Sequence, residues 1–232
     1  MLKSDTCLEE IFMSDRVAIF IDGSNLYHSL KSNFKRFDVN FGEFARKLCG
    51  TRRLVRTYYY NVLQDPLQRV EGSREQGDFL DTLRKTQYLE LRLGTTKLAA
   101  GVPVEKGIDV MLATDLLYFA ANNSYDIAIL VSGDADFSYT LQVVKNMGKH
   151  VEVAYFENAV SKDLLTVADY LHPLDSKFFT GLWTGNHKRL HRERPAKRKR
   201  VASRTPITFN QGFQQEASAP STTDSPALFK LD

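Results

Sequence analysis

The sequence predicts an α/β fold, doubly wound around a mostly parallel sheet of about five strands. Three observations carry that prediction. Continuous apolar runs such as "VAIFI" and "IAILV" are short and read as strands covered on both faces. Segments between the strands carry apolar residues at helical spacing. The two kinds alternate along the chain, which is the order of repeated strand–helix–strand units.

Residues 1–14 show no sustained period and read as a flexible N-terminus. "RVAIFI" (16–21) is the first strand, and "SNLYHSLK" supplies a short helix after it. "NFGEFARKLCG" (40–50) places Phe41, Phe44, Ala45 and Leu48 on one helical face and ends at Gly50, a residue type suited to closing a helix. "RLVRTYYYNVL" (53–63), rich in β-branched and aromatic residues, is the second strand. "DPLQRVEGS" interrupts, and residues 74–86 give a helix with Phe79, Leu80 and Leu83 inward. "YLELRLG" (88–94) alternates as a third strand, and "TTKLAAGVPVEKG" reads as a loop or hairpin. "GIDVMLATDLLYFAANNS" (107–124) is a helix of about four turns. It leads into "YDIAILVS" (125–132), the fourth strand, and "GDADFSYTLQVVKNMG", a helix closed at Gly148. "HVEVAYF" (150–156) is the fifth strand, and "SKDLLTVADYLHPL" (161–174) reads as a last helix stopped by Pro173. The folded domain therefore spans about 15–180. Beyond Phe179 the pattern dissolves into a basic run and then "ASAPSTTDSP", so 181–232 reads as a disordered basic tail.

Composition narrows the class. With 232 residues, 43% hydrophobic and 25% charged, the chain can hold one sizeable core. No apolar run approaches the roughly 20 residues that cross a bilayer, and acids occupy the N-terminus where a secretory signal would be apolar. A cytoplasmic protein is expected. Cys7 and Cys49 form no C-x-x-C pair, which argues against a disulfide scaffold or a cysteine-based zinc site. The net charge of +3 is uneven: residues 187–232 hold 10 Lys/Arg against 4 Asp/Glu, leaving 21 against 24 in residues 1–186. A mildly acidic body carries a basic arm, a pattern often used to hold nucleic acid.

In doubly wound folds ligands sit at the carboxyl ends of strands, where strand order reverses. Two clusters of small polar residues, "DGSN" and "SGDAD", fall at the carboxyl ends of the first and fourth strands. Two adjacent central strands would bring Asp22, Asp134 and Asp136 together. Asp109 opens the long helix, within about 60° of Leu112, Ala113, Leu116 and Ala120 in projection, and is expected on its inward side. Asp115 lies about 120° from it and reads as a solvated helix residue. Each aspartate has a plainer role as well. Asp22 and Asp134 suit helix N-caps, and Asp136 suits a positive helix end. As a group of four within about 5 Å, however, each pair would repel by roughly 3 kcal/mol at an effective dielectric near 20. A divalent cation relieves that repulsion, and oxygen ligands without His or Cys favour Mg²⁺ or Mn²⁺ over zinc. Ser24, Asn25 and Ser132 add neutral oxygens. Such ions activate water and clamp a phosphodiester during in-line displacement. No G-x-x-x-x-G-K-[ST], G-x-G-x-x-G or G-x-S-x-G motif offers another chemistry. Ser24 also stands where an aspartyl phosphatase would need its second aspartate.

"VAIFIDGSNLYHSL", "EKGIDVMLATDLL" and "YDIAILVSGDADFSYTLQVVKNMGKHVEVAY", in this order, resemble the NYN domain family, a LabA-like branch of the PIN-like nuclease superfamily. The resemblance runs from about Val17 to Leu174. It implies a three-layer α/β/α sandwich, PIN-like, carrying a metal-dependent ribonuclease site. The family's acidic positions fall on Asp22, Asp109, Asp134 and Asp136, with Asn25 as its motif asparagine near the metal. Ala135 stands where relatives often have glycine. An alternative the resemblance also allows is a non-catalytic RNA-binding or regulatory module that retains the acidic pocket.

RNA is the expected partner, met by the pocket and by the tail run that includes Arg198, Lys199 and Arg200, which can neutralise phosphates without reading sequence. Lys106, one turn before Asp109, is a further phosphate contact. Tyr27, Tyr58, Tyr59 and Tyr60 offer either a stacking surface for a base or core packing, and for a buried strand packing is the simpler role. His28 reads as a helix-surface residue. Nothing in the sequence fixes an oligomeric state.

Overall fold

The computed structural model describes residues 15–63, 70–99 and 102–185. Seven strands form one sheet in the order β4-β3-β2-β1-β5-β6-β7: β1 (Arg16–Asp22), β2 (Arg53–Leu63), β3 (Leu89–Ala99), β4 (Val102–Lys106), β5 (Ile127–Val131), β6 (His150–Tyr155) and β7 (Tyr170–Pro173). Every pairing is parallel except β3 with β4, which form an antiparallel hairpin.

Side chains of β1 alternate between two cores. Val17, Ile19 and Ile21 face α1 (Gly23–Phe34), α2 (Phe41–Cys49) and α3 (Val70–Arg84). Ala18 and Phe20 face α4 (Ile108–Ala121), α5 (Ser138–Asn146) and α6 (Lys162–Val167). A strand buried on both faces has no polar position to spare, which is why its sequence is an unbroken apolar run. The result is a three-layer α/β/α sandwich with a mostly parallel central sheet.

The chain winds outward from β1 through β2 and β3, then crosses back by α4 to β5 on the other side. Strand order therefore reverses between β1 and β5, whose residues pair from Val17 with Ile127 to Ile21 with Val131. Their carboxyl ends, Asp22 and Ser132, open on the crevice where such folds bind ligands.

Three differences from the sequence reading have physical causes. The stretch 161–174 is not one helix: α6 stops at Val167, Ala168 turns extended at φ −66°, ψ 139°, and Tyr170–Pro173 adds the edge strand β7. Both edge strands contain proline, Pro103 in β4 and Pro173 in β7, as edges tolerate a missing donor. Two further strands thus join the expected five. Packing also continues past Phe179: Leu182 is buried, Trp183 packs on Phe34 and Phe179, and Arg36 lies over the Trp183 ring. Tyr58, Tyr59 and Tyr60 are all buried, so the triple tyrosine is core. Tyr27 is half-buried with its ring near Phe37, and His28 is exposed as expected.

The N-terminal stretch 1–14 and the basic tail from residue 186, with Arg198, Lys199 and Arg200, lie outside the described residues. Among the described residues no helix is long and apolar enough to cross a membrane.

Candidate active site

Asp22 is the last residue of β1 and the N-cap of α1. It is 5% exposed, and both its oxygens are engaged. Oδ1 accepts from the Asn25 backbone N–H at 3.0 Å, and Oδ2 accepts from Ser132 Oγ at 3.0 Å. Ser132, itself buried at the end of β5, in turn accepts from the Asp134 N–H at 3.2 Å. Asp134 caps the 3-10 turn Ala135–Phe137 by accepting from the Asp136 N–H at 3.0 Å. From the other side, Asn25 Oδ1 accepts from the Gly133 N–H at 3.2 Å. A continuous hydrogen-bonded chain therefore ties α1 to the β5 loop across the switch point. Ser24 is half-buried and stands outside this chain.

Two glycines make the approach possible. A Cβ on Gly23 would sit 2.5 Å from the Tyr60 carbonyl oxygen and 2.6 Å from a Tyr59 ring carbon. One on Gly133 would sit 1.7 Å from the Ala159 carbonyl oxygen. The β5 loop is clamped there by the Ser161 N–H, which donates to the Gly133 carbonyl at 3.0 Å. Sequence reasoning did not single out Gly133. Its signal was a glycine flanked by small polar residues directly after a buried strand.

Electrostatics links all four aspartates. Burial pushes the Asp22 carboxyl above the usual range, and the negative charges of Asp109 and Asp134 push the same way against its two hydrogen bonds. Asp109 is also raised, first by desolvation, then by Asp134 and Asp136. Asp109 lies in the first turn of α4, but it is exposed rather than inward: Ile108, Leu112, Leu116 and Ala120 take the buried stripe, and the helix start stands at the open end of the sheet.

Among the described residues, no three His, Cys, Asp or Glu side chains are gathered closely enough to hold one ion together. The expected group of four within about 5 Å is therefore looser in the structure. Hydrogen bonds explain the spacing, because Asp22 is turned to its helix cap and to Ser132, Asp134 is turned to its own cap, and Asp109 rides a different helix. In kind, the donors suit a hard cation: carboxylate, amide and hydroxyl oxygens, with mutual repulsion that added positive charge would relieve.

Asp115 is not simply solvated. Its Oδ2 accepts from Tyr60 Oη at 2.8 Å and from Arg92 Nε at 3.1 Å, which pins α4 to β2 and β3. Lys106 ends β4 opposite Thr95, and its side chain lies outside what is described.

A sheet wound both ways from a central strand pair, with interacting carboxylates over the switch point, is a PIN-like α/β/α arrangement. Residues 16–175 match the NYN domain, and the chain belongs to that family. It is similar to the low amplitude and bright protein LabA of Synechococcus elongatus, 26% identical over 169 residues that cover 68% of this chain and 83% of that protein. A crystal structure of a protein of unknown function from Vibrio parahaemolyticus shares the fold at a TM-score of 0.60 and 23% identity, over 71% of this chain and 96% of that one.

Proposed function

We propose that the chain is a metal-dependent ribonuclease whose site is built on Asp22, Asp109, Asp134 and Asp136. The observation that carries this reading is the electrostatic coupling of carboxylates from three separate elements at the switch point of the fold. Asp22 is the fixed member, held by Asn25 N–H and Ser132 Oγ in a buried position. Asp134 and Asp136 share the next turn, and their charges reach Asp109 in the first turn of α4. These residues would hold Mg²⁺ or Mn²⁺. Such an ion supplies a hydroxide at neutral pH and offsets charge on a phosphodiester. Ser132 keeps Asp22 and the Asp134 backbone in register, and Asn25 holds the loop through Gly133. RNA enters as the substrate through the family and the basic tail.

A second reading is favoured by one observation, the absence of a preassembled three-ligand group among the described residues. It makes the chain an RNA-binding module that keeps the pocket without cutting.

One experiment separates them. Purified protein is incubated with labelled single-stranded and structured RNA, with Mn²⁺ or with chelator. The nuclease reading expects products that require Mn²⁺ and vanish in Asp134→Asn. Retention of RNA without products under any divalent ion selects the second reading, and products unchanged in D134N place the activity elsewhere.

A further inference from the structure

Acids crowd the carboxyl end of the sheet, so a polyanion needs cations elsewhere to hold it. Strand β2 supplies a pair at the opposite end. Its register against β1 slips by one residue: Val17 pairs with Leu54 but Ala18 pairs with Arg56, which leaves Val55 as the extra residue of a β-bulge. The two cores show the same slip. Leu54 packs with Val17 and Ile19, whereas Tyr58, four residues on, lies with Ala18 and Phe20 on the other side of the sheet. In a regular strand residues 54 and 58 would share a face.

The bulge decides where two arginines stand. Arg56 pairs with Ala18 and takes the Ala18 face, and its positive charge is felt at Tyr58 on that face. Arg53 adjoins Leu54 and takes the face opposite to it, which is the same one. Residues three apart in a regular strand would face opposite ways. Here both side chains are exposed on one face, opposite Arg16 and Ala18, about 7 Å apart along the strand. Nearby arginines are already engaged. Arg16 is ion-paired with Asp126 and donates to the Asn123 carbonyl just past α4, Arg52 holds Glu152, and Arg92 holds Glu90 and Asp115. Among the described residues, the side chains of Arg53 and Arg56 make no hydrogen bond or ion pair.

We propose that Arg53 and Arg56 form a phosphate-holding exosite, which grips the RNA backbone at a segment remote from the acidic crevice. Guanidinium forks match phosphate oxygens, and neighbouring phosphates of one chain suit the spacing of the pair. Ala18 and Arg16, their partners on β1, lie four and six residues before Asp22, so the exosite stands about 13–20 Å from that carboxylate along the strand. Such contacts position a nucleic acid without reading its sequence. This inference rests on the reading of the crevice as an RNA site and adds a second place where the substrate is held.

The test uses the full chain, labelled oligo(U) of about 20 nucleotides, and fluorescence anisotropy in EDTA over a range of salt concentrations. The double variant Arg53→Ala, Arg56→Ala is expected to weaken binding roughly 20-fold at about 0.1 M salt. The slope of log affinity against log salt should flatten by about 1.4, two phosphates at about 0.7 each. Arg53→Lys with Arg56→Lys keeps both charges and should retain the wild-type slope. Arg46 and Arg84, each paired with an acid in its own helix, provide the control: R46A with R84A also removes two charges and should leave affinity and slope unchanged. Wild-type affinity and slope in the R53A, R56A variant overturn the proposal, and so does an equal loss in the control, which makes the effect one of net charge. Loss of poly(Glu) binding without loss of oligo(U) binding assigns the pair to an acidic protein and overturns it too. The two readings fail separately. Arginine-dependent binding without Mn²⁺-dependent cleavage removes the nuclease and keeps the exosite; cleavage that needs Asp134 while binding ignores both arginines does the reverse.

Discussion

Replacing Gly133 with alanine adds one methyl group at the tightest point of the site. The new Cβ would lie 1.7 Å from the Ala159 carbonyl oxygen, 2.7 Å from its carbon and 3.1 Å from Val160 Cα. Reaching even 3.0 Å from that oxygen requires about 1.3 Å of backbone movement (3.0 − 1.7), because none of these atoms belongs to a flexible side chain. Overpacking of this kind costs about 1–3 kcal/mol. The shift also breaks the bonds from Ser161 N–H to Gly133 O and from Gly133 N–H to Asn25 Oδ1, each worth about 1 kcal/mol. The expected loss is therefore about 3–5 kcal/mol, or roughly 6–20 °C in Tm at about 2–4 °C per kcal/mol. Differential scanning calorimetry of the purified chain reads it. Gly77, inside α3, is the control: nothing lies within 4 Å of its added Cβ, so Gly77→Ala should raise stability by about 0.5–1 kcal/mol. An unchanged Tm in G133A, or equal effects of the two substitutions, would refute the reasoning.

Two other substitutions test separate electrostatic arguments. Glu152, 3% exposed, accepts from Arg52 and from His172 Nε2 at 2.7 Å, and although burial opposes it, these partners hold its carboxyl down to about 2. A folded value below the unfolded one stabilises fully above about pH 4.5, and that contribution fades as pH falls toward 2. The drop from 4.5 to about 2 corresponds to about 3 kcal/mol. Glu152→Gln should lower Tm at pH 7 and flatten the acid limb of a Tm-against-pH profile; a variant with the wild-type acid limb counts against the triad. Asp22 has the opposite sign. Its raised folded value means that stability falls as pH climbs from the unfolded carboxylate range through the folded one. Asp22→Asn keeps an acceptor for the Asn25 N–H and removes the buried charge, so its Tm at neutral pH should equal or exceed that of wild type while RNA cleavage is lost. A large drop in Tm would show that the charge itself holds the loop.

Much of this arrangement is written in residue order. The apolar runs of β1 and β5 identify strands buried on both faces, and the small polar residues that end them mark the switch point. Asp22, Ser132 and Asp134 are thus legible as neighbours from sequence alone. Asp115 is not, because its partners Tyr60 and Arg92 come from strands whose register, Tyr60 opposite Arg92, exists only in the folded sheet. Strand β7 was hidden by Leu164, Leu165, Val167 and Leu171, whose three- and four-residue spacings imitate a helix until the backbone turns at Ala168. The hairpin β3–β4 stayed open because its sequence lacks a two-residue turn signal and carries proline. Spacing of the acids is the deepest gap. Sequence shows that four carboxylates approach one crevice, while cap hydrogen bonds decide where each one points.

Titration calorimetry of MnCl2 into the full chain, beside D22N and D134N, tests the acidic site most directly. Saturable uptake of manganese by wild type, lost in both variants, is the predicted result. A wild-type chain that takes up no manganese, or variants that bind it equally well, would contradict the assignment of these aspartates to a cation.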